Sequence, residues 1–421
     1  MTRRTAILVV SLAAVLPRLL VVAVERDDLI GSLPEKSDRF ARTLVDSGTF
    51  GFIAGVPSGY TQPLYALFLA PLYATFGHSW AAVGLAQIVV ATGTALLVYA
   101  IGCRIATRGI GVVAALLSTL HPYLIWHDVH VNREVLDGFL AALLTLLVVI
   151  ATERASVRIA ASAGLATGFA ILGNARLTLL PVALAGYLLW TIAPRRSGVL
   201  AAAALVVATG VVVTPWVVRN DISVGCATIT TDARALWKAN NPATFRILRD
   251  GGWIDQVPEI PGAPPWPELA ADLTAGGKPT AIDECAQMRF YRSEVMHFWR
   301  TEPREKAKLS AQAAWMLWRP SVTVEEGGSR SAGSRLARNV FEPLYVLALY
   351  ALALAGLARL PRRYLALTLL LLAYGTVMAM VFAGTVRYRA PWDFLLCVPA
   401  AITLARASRA FSMRGTRKPA A

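Results

Sequence analysis

Carboxylates gather in two short stretches of this chain, and arginines and carboxamides gather in others. Glu25, Asp27, Asp28, Glu35, Asp38 and Asp46 fall in the first polar segment, and Asp128 and Glu134 fall in the second. A carboxylate at the edge of an apolar environment can serve as a general base, its proton affinity raised by partial desolvation or its charge held by a neighbouring Arg. Most such acids are ordinary solvated loop charges, and structural ion pairs perturb carboxylates too. Glu134 differs because it heads an apolar run in VNREVLDGF, where a charge is expensive and tends to be functional. Cations suited to phosphate are equally localised. Arg387 and Arg389 bracket Tyr388 in VRYRAPWDF, and a forked guanidinium there matches a lipid phosphate. Arg176 in GNARLTLLP, and Arg219 with Asn220 in TPWVVRN, add to that set. Headgroup anchoring and snorkelling account for the same residues without any substrate. His121, His127 and His130 lie near Asp128 at ligand-like spacing, although interfacial histidines are the commoner cause of such a pattern.

These groups must be held by a membrane protein. The chain has 421 residues, is 56% hydrophobic and only 16% charged, and exceeds what one water-soluble core needs. The fold class is all-α and polytopic, with about ten transmembrane helices, embedded or interfacial helices and a long extracytoplasmic segment. The expected spans are Ala6–Val24, Trp80–Ile101, Ile110–Trp126, Val135–Ala151, Ile159–Gly173, Leu177–Ile192, Val199–Val218, Val340–Leu357, Leu365–Ala383 and Pro391–Leu404. Pro63–Phe76 contains two prolines and is short, so it reads as embedded rather than spanning. The first run follows Arg3 and Arg4 without an A-x-A cleavage site and reads as an uncleaved span.

The net charge of +15 is sided. Arg104 with Arg108, Arg154 with Arg158, Arg195 with Arg196, Arg359 with Arg362 and Arg363, and the tail from Arg406 to Lys418 fall in alternate turns. Cytoplasmic termini in a plasma or inner membrane satisfy the positive-inside rule at each of them. The basic balance therefore reports membrane lipids as partners and argues against nucleic acid. Arg330, Arg335 and Arg338 are the exception, lying outside in this scheme; a crossing at Leu309–Trp318 would repair them but would export the RLPRRY turn and the tail. Its Trp pair suits an interfacial helix instead. The chain divides into 1–218, a membrane module with its first outer loop at 25–62; 219–339, an extracytoplasmic segment; and 340–421, the last spans and tail. Cys226 and Cys285 share the middle segment and can pair if it is extracytoplasmic. A helical stretch from Ala281 to Trp318, broken near Pro303, follows the Pro-rich IPGAPPWPE loop. The chain holds no Walker A loop, no G-x-S-x-G and no H-E-x-x-H, so chemistry must use acids and cations at the membrane surface.

Taken in order along almost the whole chain, these motifs resemble the bacterial polytopic glycosyltransferases of the C-type fold, the group containing the protein mannosyltransferases and the lipid A aminoarabinose transferases. DSGTFGF with QPLYALFLAPLYATFG resembles that family's Gly-aromatic segment and Pro-Leu-Tyr helix. HPYLIWHDVHVNREVLDGFL resembles its second-loop region, with Glu134 as the acid opening a span. GNARLTLLP is similar to its Leu-Thr-Arg turn, and RYRAPWDFLL to its Arg-Tyr-Arg-x-Pro signature. TPWVVRN with LWKANNP is similar to its Pro-Trp-x-x-Arg-Asn and Gly-Asn-Asn-Pro pair, which brings in Asn240 and Asn241.

The resemblance implies transfer of a sugar from a polyprenyl-phosphate donor to an acceptor hydroxyl on the outer face. A first-loop carboxylate would act as base, the anomeric centre would invert, and basic groups would hold the leaving phosphate. LPEKSDRFARTLVDSGTF departs from the family's Asp-to-Tyr register, leaving Asp38, then Glu35, as the nearest substitutes, with Glu134 the third candidate. Ala239 also stands where the family has Gly. The resemblance names no cofactor. A divalent cation between Glu134 and the acidic first loop and a phosphate balanced by Arg alone both fit the residues. A transporter or lipid flippase, or a non-catalytic envelope scaffold, would keep the same spans. Boundary charges favour transfer over transport. The sugar, and whether the acceptor is glycan, lipid or protein, are not encoded in these motifs.

Overall fold

The computed structural model describes residues 1–25, 36–268, 282–321 and 336–415, without the side chains of 337, 338 and 409–415. Glu35, Asp27, Asp28, Arg330 and Arg335 lie outside the described residues. The chain is all-α; among the described residues the only extended pairing is a single bridge between Ile53 and Val56. The N-terminal module runs α1 (Arg3–Glu25), α2 (Lys36–Ser47), α3 (Pro63–Phe76), α4 (Trp80–Ile105), α5 (Arg108–Thr119), α6 (Pro122–His127), α7 (Glu134–Arg154), α8 (Val157–Gly173), α9 (Leu180–Thr191) and α10 (Arg195–Val224). The polar segment holds α11 (Ala233–Lys238), α12 (Thr244–Arg249), α13 (Glu284–Thr301) and α14 (Pro303–Trp318). The chain then returns through α15 (Glu342–Leu357), α16 (Arg362–Val381), α17 (Val386–Arg389) and α18 (Phe394–Gly415).

Among the described residues, six helices are long and apolar enough to cross a membrane: α1, α4, α7, α10, Asn339–Leu357 and α16. Val386–Trp392 with Phe394–Ser408, bent by 57°, makes a seventh if it is one broken span. The three remaining expected spans are helical but short, at Arg108–Thr119, Val157–Gly173 and Ala175–Thr191. One of them needs correction. Ile110–Trp126 is not a single helix, because α5 stops at Thr119 and α6 begins at Pro122. Proline disfavours the helical region for the residue before it and lacks the N–H that would continue the ladder. His121, extended at ψ 120°, accepts the Tyr123 N–H through Nδ1 and so caps the new helix.

The Arg-rich turns share one end of the bundle. Arg104 pairs with Glu153 at 2.7 Å, Arg108 reaches the Met1 carbonyl, and the Tyr187 hydroxyl donates to the Arg363 carbonyl. The helix α3 starts and finishes at the opposite end: Gln62 precedes it beside Arg133, and His78 follows it against Asp38 of α2. Entering and leaving at one end means that it does not cross the bundle, as expected from its prolines and its length of 14 residues. The helices α8 and α10 pack closely through small residues. A Cβ on Gly164 would stand 2.2 Å from the Leu205 carbonyl oxygen, and one on Gly168 would stand 2.6 Å from Val212. Thr209 Oγ1 donates to the Gly164 carbonyl at 3.0 Å across that contact. Without a water-driven force inside a bilayer, such small-residue contacts bring two backbones together.

The polar segment is locked to the bundle. Cys226 and Cys285 form a disulfide with a Cα–Cα distance of 5.9 Å. Beside it, Glu284 Oε2 accepts the Gly59 N–H at 2.9 Å and the Thr231 hydroxyl at 2.6 Å, tying α13 to the first loop. The break before Pro303 separates α13 and α14, and α14 lies along α16 through Lys306, Ser310 and Trp318.

Candidate active site

Four stretches that are far apart in sequence meet at the end of the bundle opposite the Arg-rich turns. Asn174 ends α8 in an extended conformation and its Oδ1 accepts the Arg176 N–H, turning the chain before Pro181 starts α9. Thr385 caps α17, and Pro391 follows within a short 3-10 turn, so Arg387 and Tyr388 sit on a bend between two spans. Arg133 and Glu134 stand at the head of α7. Lys36 and Ser37 open α2.

Together they surround a cavity of about 350 Å³. Arg133, Arg176, Arg387 and Tyr388 line it on the bundle side, with Asn174, Gln62 and Tyr65. Lys36, Tyr60, Asp232 and Asp255 line it from the first loop and the polar segment. The guanidinium of Arg176 lies 3.4 Å from the Tyr388 ring centroid and 5.5 Å from that of Phe382. Its own carbonyl accepts the Tyr374 hydroxyl at 2.7 Å. Arg133 Nη1 donates to Gln62 Oε1 at 3.1 Å and to the Gly173 carbonyl at 3.4 Å. Arg387 Nε donates to Glu134 Oε1. Arg133 and Arg387 are near enough to Arg176 to act on it electrostatically. Three guanidiniums so gathered repel one another, a repulsion that Glu134 partly offsets and that an anion in the cavity would relieve further, and a planar fork over an aromatic ring, as at Arg176, suits phosphate.

The other wall is built around an ion pair. Lys36 Nζ meets Asp232 Oδ2 at 3.0 Å, and Lys36 also lies 4.5 Å from the Tyr60 ring centroid. Asp232 Oδ1 accepts the Ala235 N–H and so caps α11. Burial, reinforced by the nearby Asp232 charge, pushes the Tyr60 hydroxyl well up, so it remains neutral.

Of the residues expected from sequence, Arg176, Arg387 and Tyr388 line this cavity, and Glu134 stands directly behind Arg387. Asp38 is not on the lining. It is 3% exposed, with the Tyr73 hydroxyl at 2.6 Å, His78 Nε2 at 2.9 Å and Arg42 at 3.1 Å. Arg219 donates to the Ser58 and Phe50 carbonyls and stacks near Phe50 and Trp216, stitching the first loop to α10. Asn220 donates to the Thr228 carbonyl. Asn240 accepts from Trp299 and Lys306 and donates to the Leu236 and Val381 carbonyls, while Asn241 donates to the Trp237 and Lys238 carbonyls. Arg389 is 2% exposed, pairs with Asp393 and donates to the Leu317 and Arg319 carbonyls. These residues hold the frame around the cavity.

The histidines are likewise spoken for. His127 stacks on Tyr123, and His130 stacks on Trp126 and faces Glu25. Among the described residues, no three His, Cys, Asp or Glu side chains gather where a metal ion would sit. The cavity also holds residues that the motifs did not single out: Arg133, Lys36, Tyr60, Asp232 and Asp255. Arg133 adjoins Glu134 in the quoted motif, and Asp232 carried the signal of a helix cap in TTDARALW; neither signal points to a ligand.

Residues 58–218 match the dolichyl-phosphate-mannose-protein mannosyltransferase family. The fold is similar to that of the archaeal oligosaccharyltransferase AglB from Archaeoglobus fulgidus in complex with an inhibitory peptide and a dolichol-phosphate, with TM-score 0.53, 13% identity and 99% of this chain covered. The apo form of the Archaeoglobus fulgidus oligosaccharyltransferase aligns with TM-score 0.50 and 11% identity, again over 99% of this chain. This chain spans about half the length of those proteins, covering 52% of each. ArnT from Cupriavidus metallidurans in the apo state aligns more loosely, with TM-score 0.40 and 16% identity over 92% of this chain and 77% of its own. No curated protein sequence matches.

Proposed function

Because this chain has the fold of the polytopic C-type glycosyltransferases, with residues 58–218 matching their mannosyltransferase family, we propose that it is a membrane glycosyltransferase. It moves a sugar from a polyprenyl-phosphate donor to an acceptor hydroxyl on the extracytoplasmic face. The observation that carries this reading is the convergence of Arg133, Arg176, Arg387 and Tyr388 on one cavity at the end of the bundle away from the Arg-rich turns. The Cys226–Cys285 disulfide supports the sidedness, since such bonds persist in oxidising compartments.

In the reaction the acceptor oxygen bonds to the anomeric carbon while the bond from that carbon to the phosphate oxygen breaks, with inversion. The phosphate leaves with the bonding pair, and a carboxylate takes the acceptor proton. The donor is a singly charged phosphodiester, whereas the departing monoester carries about −1.5 to −2 near neutral pH. Three guanidiniums partly offset by Glu134 hold the second species more strongly than the first. That difference, not the binding itself, lowers the barrier. Asp232, on the cavity lining beside Lys36, is the proposed base. Asp38 then holds α2 in place through Tyr73, His78 and Arg42. Arg219, Asn220, Asn240, Asn241 and Arg389 shape the substrate site through the backbone that they fix. Two ionisable pairs buried among the spans, Arg18–Asp128 at 2.6 Å and Arg389–Asp393 at 3.1 Å, are closed, which favours this reading over transport.

The test uses purified protein in lipid with a panel of radiolabelled polyprenyl-phosphate sugars. Asp232→Asn should lower transfer by about 10²-fold or more, the usual range for a general base. If Asp38→Asn or Glu35→Gln abolishes transfer while Asp232→Asn spares it, the base belongs to the first loop. Absence of turnover and of binding with every donor would overturn the transferase reading and favour a scaffold.

A further inference from the structure

We propose that Glu134 is a positioning residue that aims Arg387 at the lipid phosphate. This rests on the cavity being the donor site. Glu134 is 2% exposed and does not line the cavity, whereas the Arg387 side chain paired with it is 27% exposed and does. The pair is therefore graded from buried to open. Glu134 Oε1 accepts from Nε and so fixes one edge of a guanidinium whose side chain lines the cavity. A carboxylate off the lining of this cavity is poorly placed to deprotonate an acceptor bound in it, since a base must come within hydrogen-bond reach of the proton that it removes.

The surroundings explain why a carboxylate is needed. Arg387 shares its wall with Arg133 and Arg176, two like charges that would drive it outwards if it were not held. Glu134 Oε2 is buried without a hydrogen-bond partner, so the carboxylate is not kept there by a network of its own. Burying such an oxygen is unfavourable, and the contact that offsets it is the one to Arg387. Glu134 also begins α7 and Arg387 lies on α17, so the pair sets how the first membrane module meets the last spans.

The test measures the Kd of sugar-free polyprenyl monophosphate for the protein in nanodiscs, alongside kcat and KM for transfer and the unfolding temperature. Glu134→Ala and Arg387→Ala should each raise Kd about tenfold or more. The double variant should be no weaker than Arg387→Ala alone, because a residue that acts only through another adds nothing once that other is gone. Glu134→Gln keeps an acceptor for Nε and should recover part of the affinity. If Glu134→Ala fails to fold, the cycle is run with Glu134→Gln. An unchanged Kd in the Glu134 variants, or full additivity with Arg387→Ala, overturns the proposal while leaving the donor site standing. Failure of the unmodified protein to bind the lipid phosphate removes the donor site and this role with it.

Discussion

Arg176 shows how much of a site a single residue type can carry. Its guanidinium lies over the Tyr388 ring, with the Phe382 ring also close, and the side chain lines the cavity. Lysine offers a charge of the same sign without the plane, and it cannot stack or grip two oxygens at once. Arg176→Lys should therefore lower kcat for transfer by about 10²-fold, the usual effect of losing one preorganised donor on a developing anion, with little change in unfolding temperature. Full activity in that variant would show that only the charge matters, and that the ring contacts merely anchor the side chain. Arg176, Arg387 and Tyr388 were legible in the sequence because each is a cation or a ring in a turn beside an apolar run. Arg219, Asn220, Asn240 and Arg389 have the same types in similar turns, yet they bond to backbone carbonyls. Residue type gives the chemistry that a group is capable of; which carbonyl or cavity it faces depends on how the turns are stacked.

The elements that set that stacking include one contact between the first loop and α13. Glu284 lies outside the spans, and burial pushes its carboxyl above its usual 4.5, against the lowering effect of hydrogen bonds from Ser58, Thr231 and Gly59. Its folded-state affinity for a proton thus exceeds its unfolded one. The stabilisation from this group is complete below pH 4.5 and is lost as pH rises through the raised folded value. Glu284→Gln removes the titration while keeping an acceptor for Gly59 and Thr231. The stability of the unmodified protein relative to that variant should fall as pH rises from 4.5 through the raised folded value, as read by thermal unfolding in nanodiscs. A difference that stays flat over that interval would mean that the Glu284 carboxyl holds its proton no more tightly in the folded than in the unfolded chain. The sequence announced α13 and α14 through the break at Pro303, and the Cys226–Cys285 pair through their shared segment. It did not announce the Glu284 clamp, because Gly59 and Glu284 are 225 residues apart and backbone N–H groups have no sequence signature.

At the scale of the molecule, the sided charge was the strongest signal, and it was legible because membrane orientation acts on composition rather than on contacts. The turns that it marked do share one end of the bundle, joined by Arg104–Glu153 and by Arg108 to Met1. Span boundaries were less legible. Hydropathy does not see where a helix breaks inside an apolar run, so His121–Pro122 went unread, whereas Pro63–Phe76 was recognised by its length. The absolute direction of the bundle makes the last prediction. In a Cys103→Ser background, Arg196→Cys adds an exposed thiol at the Arg-rich end, and Asp250→Cys adds one in the polar segment. A membrane-impermeant maleimide applied to intact cells should label the second and reach the first only after lysis. The reverse pattern would put the cavity and its arginines on the cytoplasmic side and the disulfide in a reducing compartment, where such bonds rarely persist. A donor site read from those arginines would then have to draw its lipid phosphate from the inner leaflet.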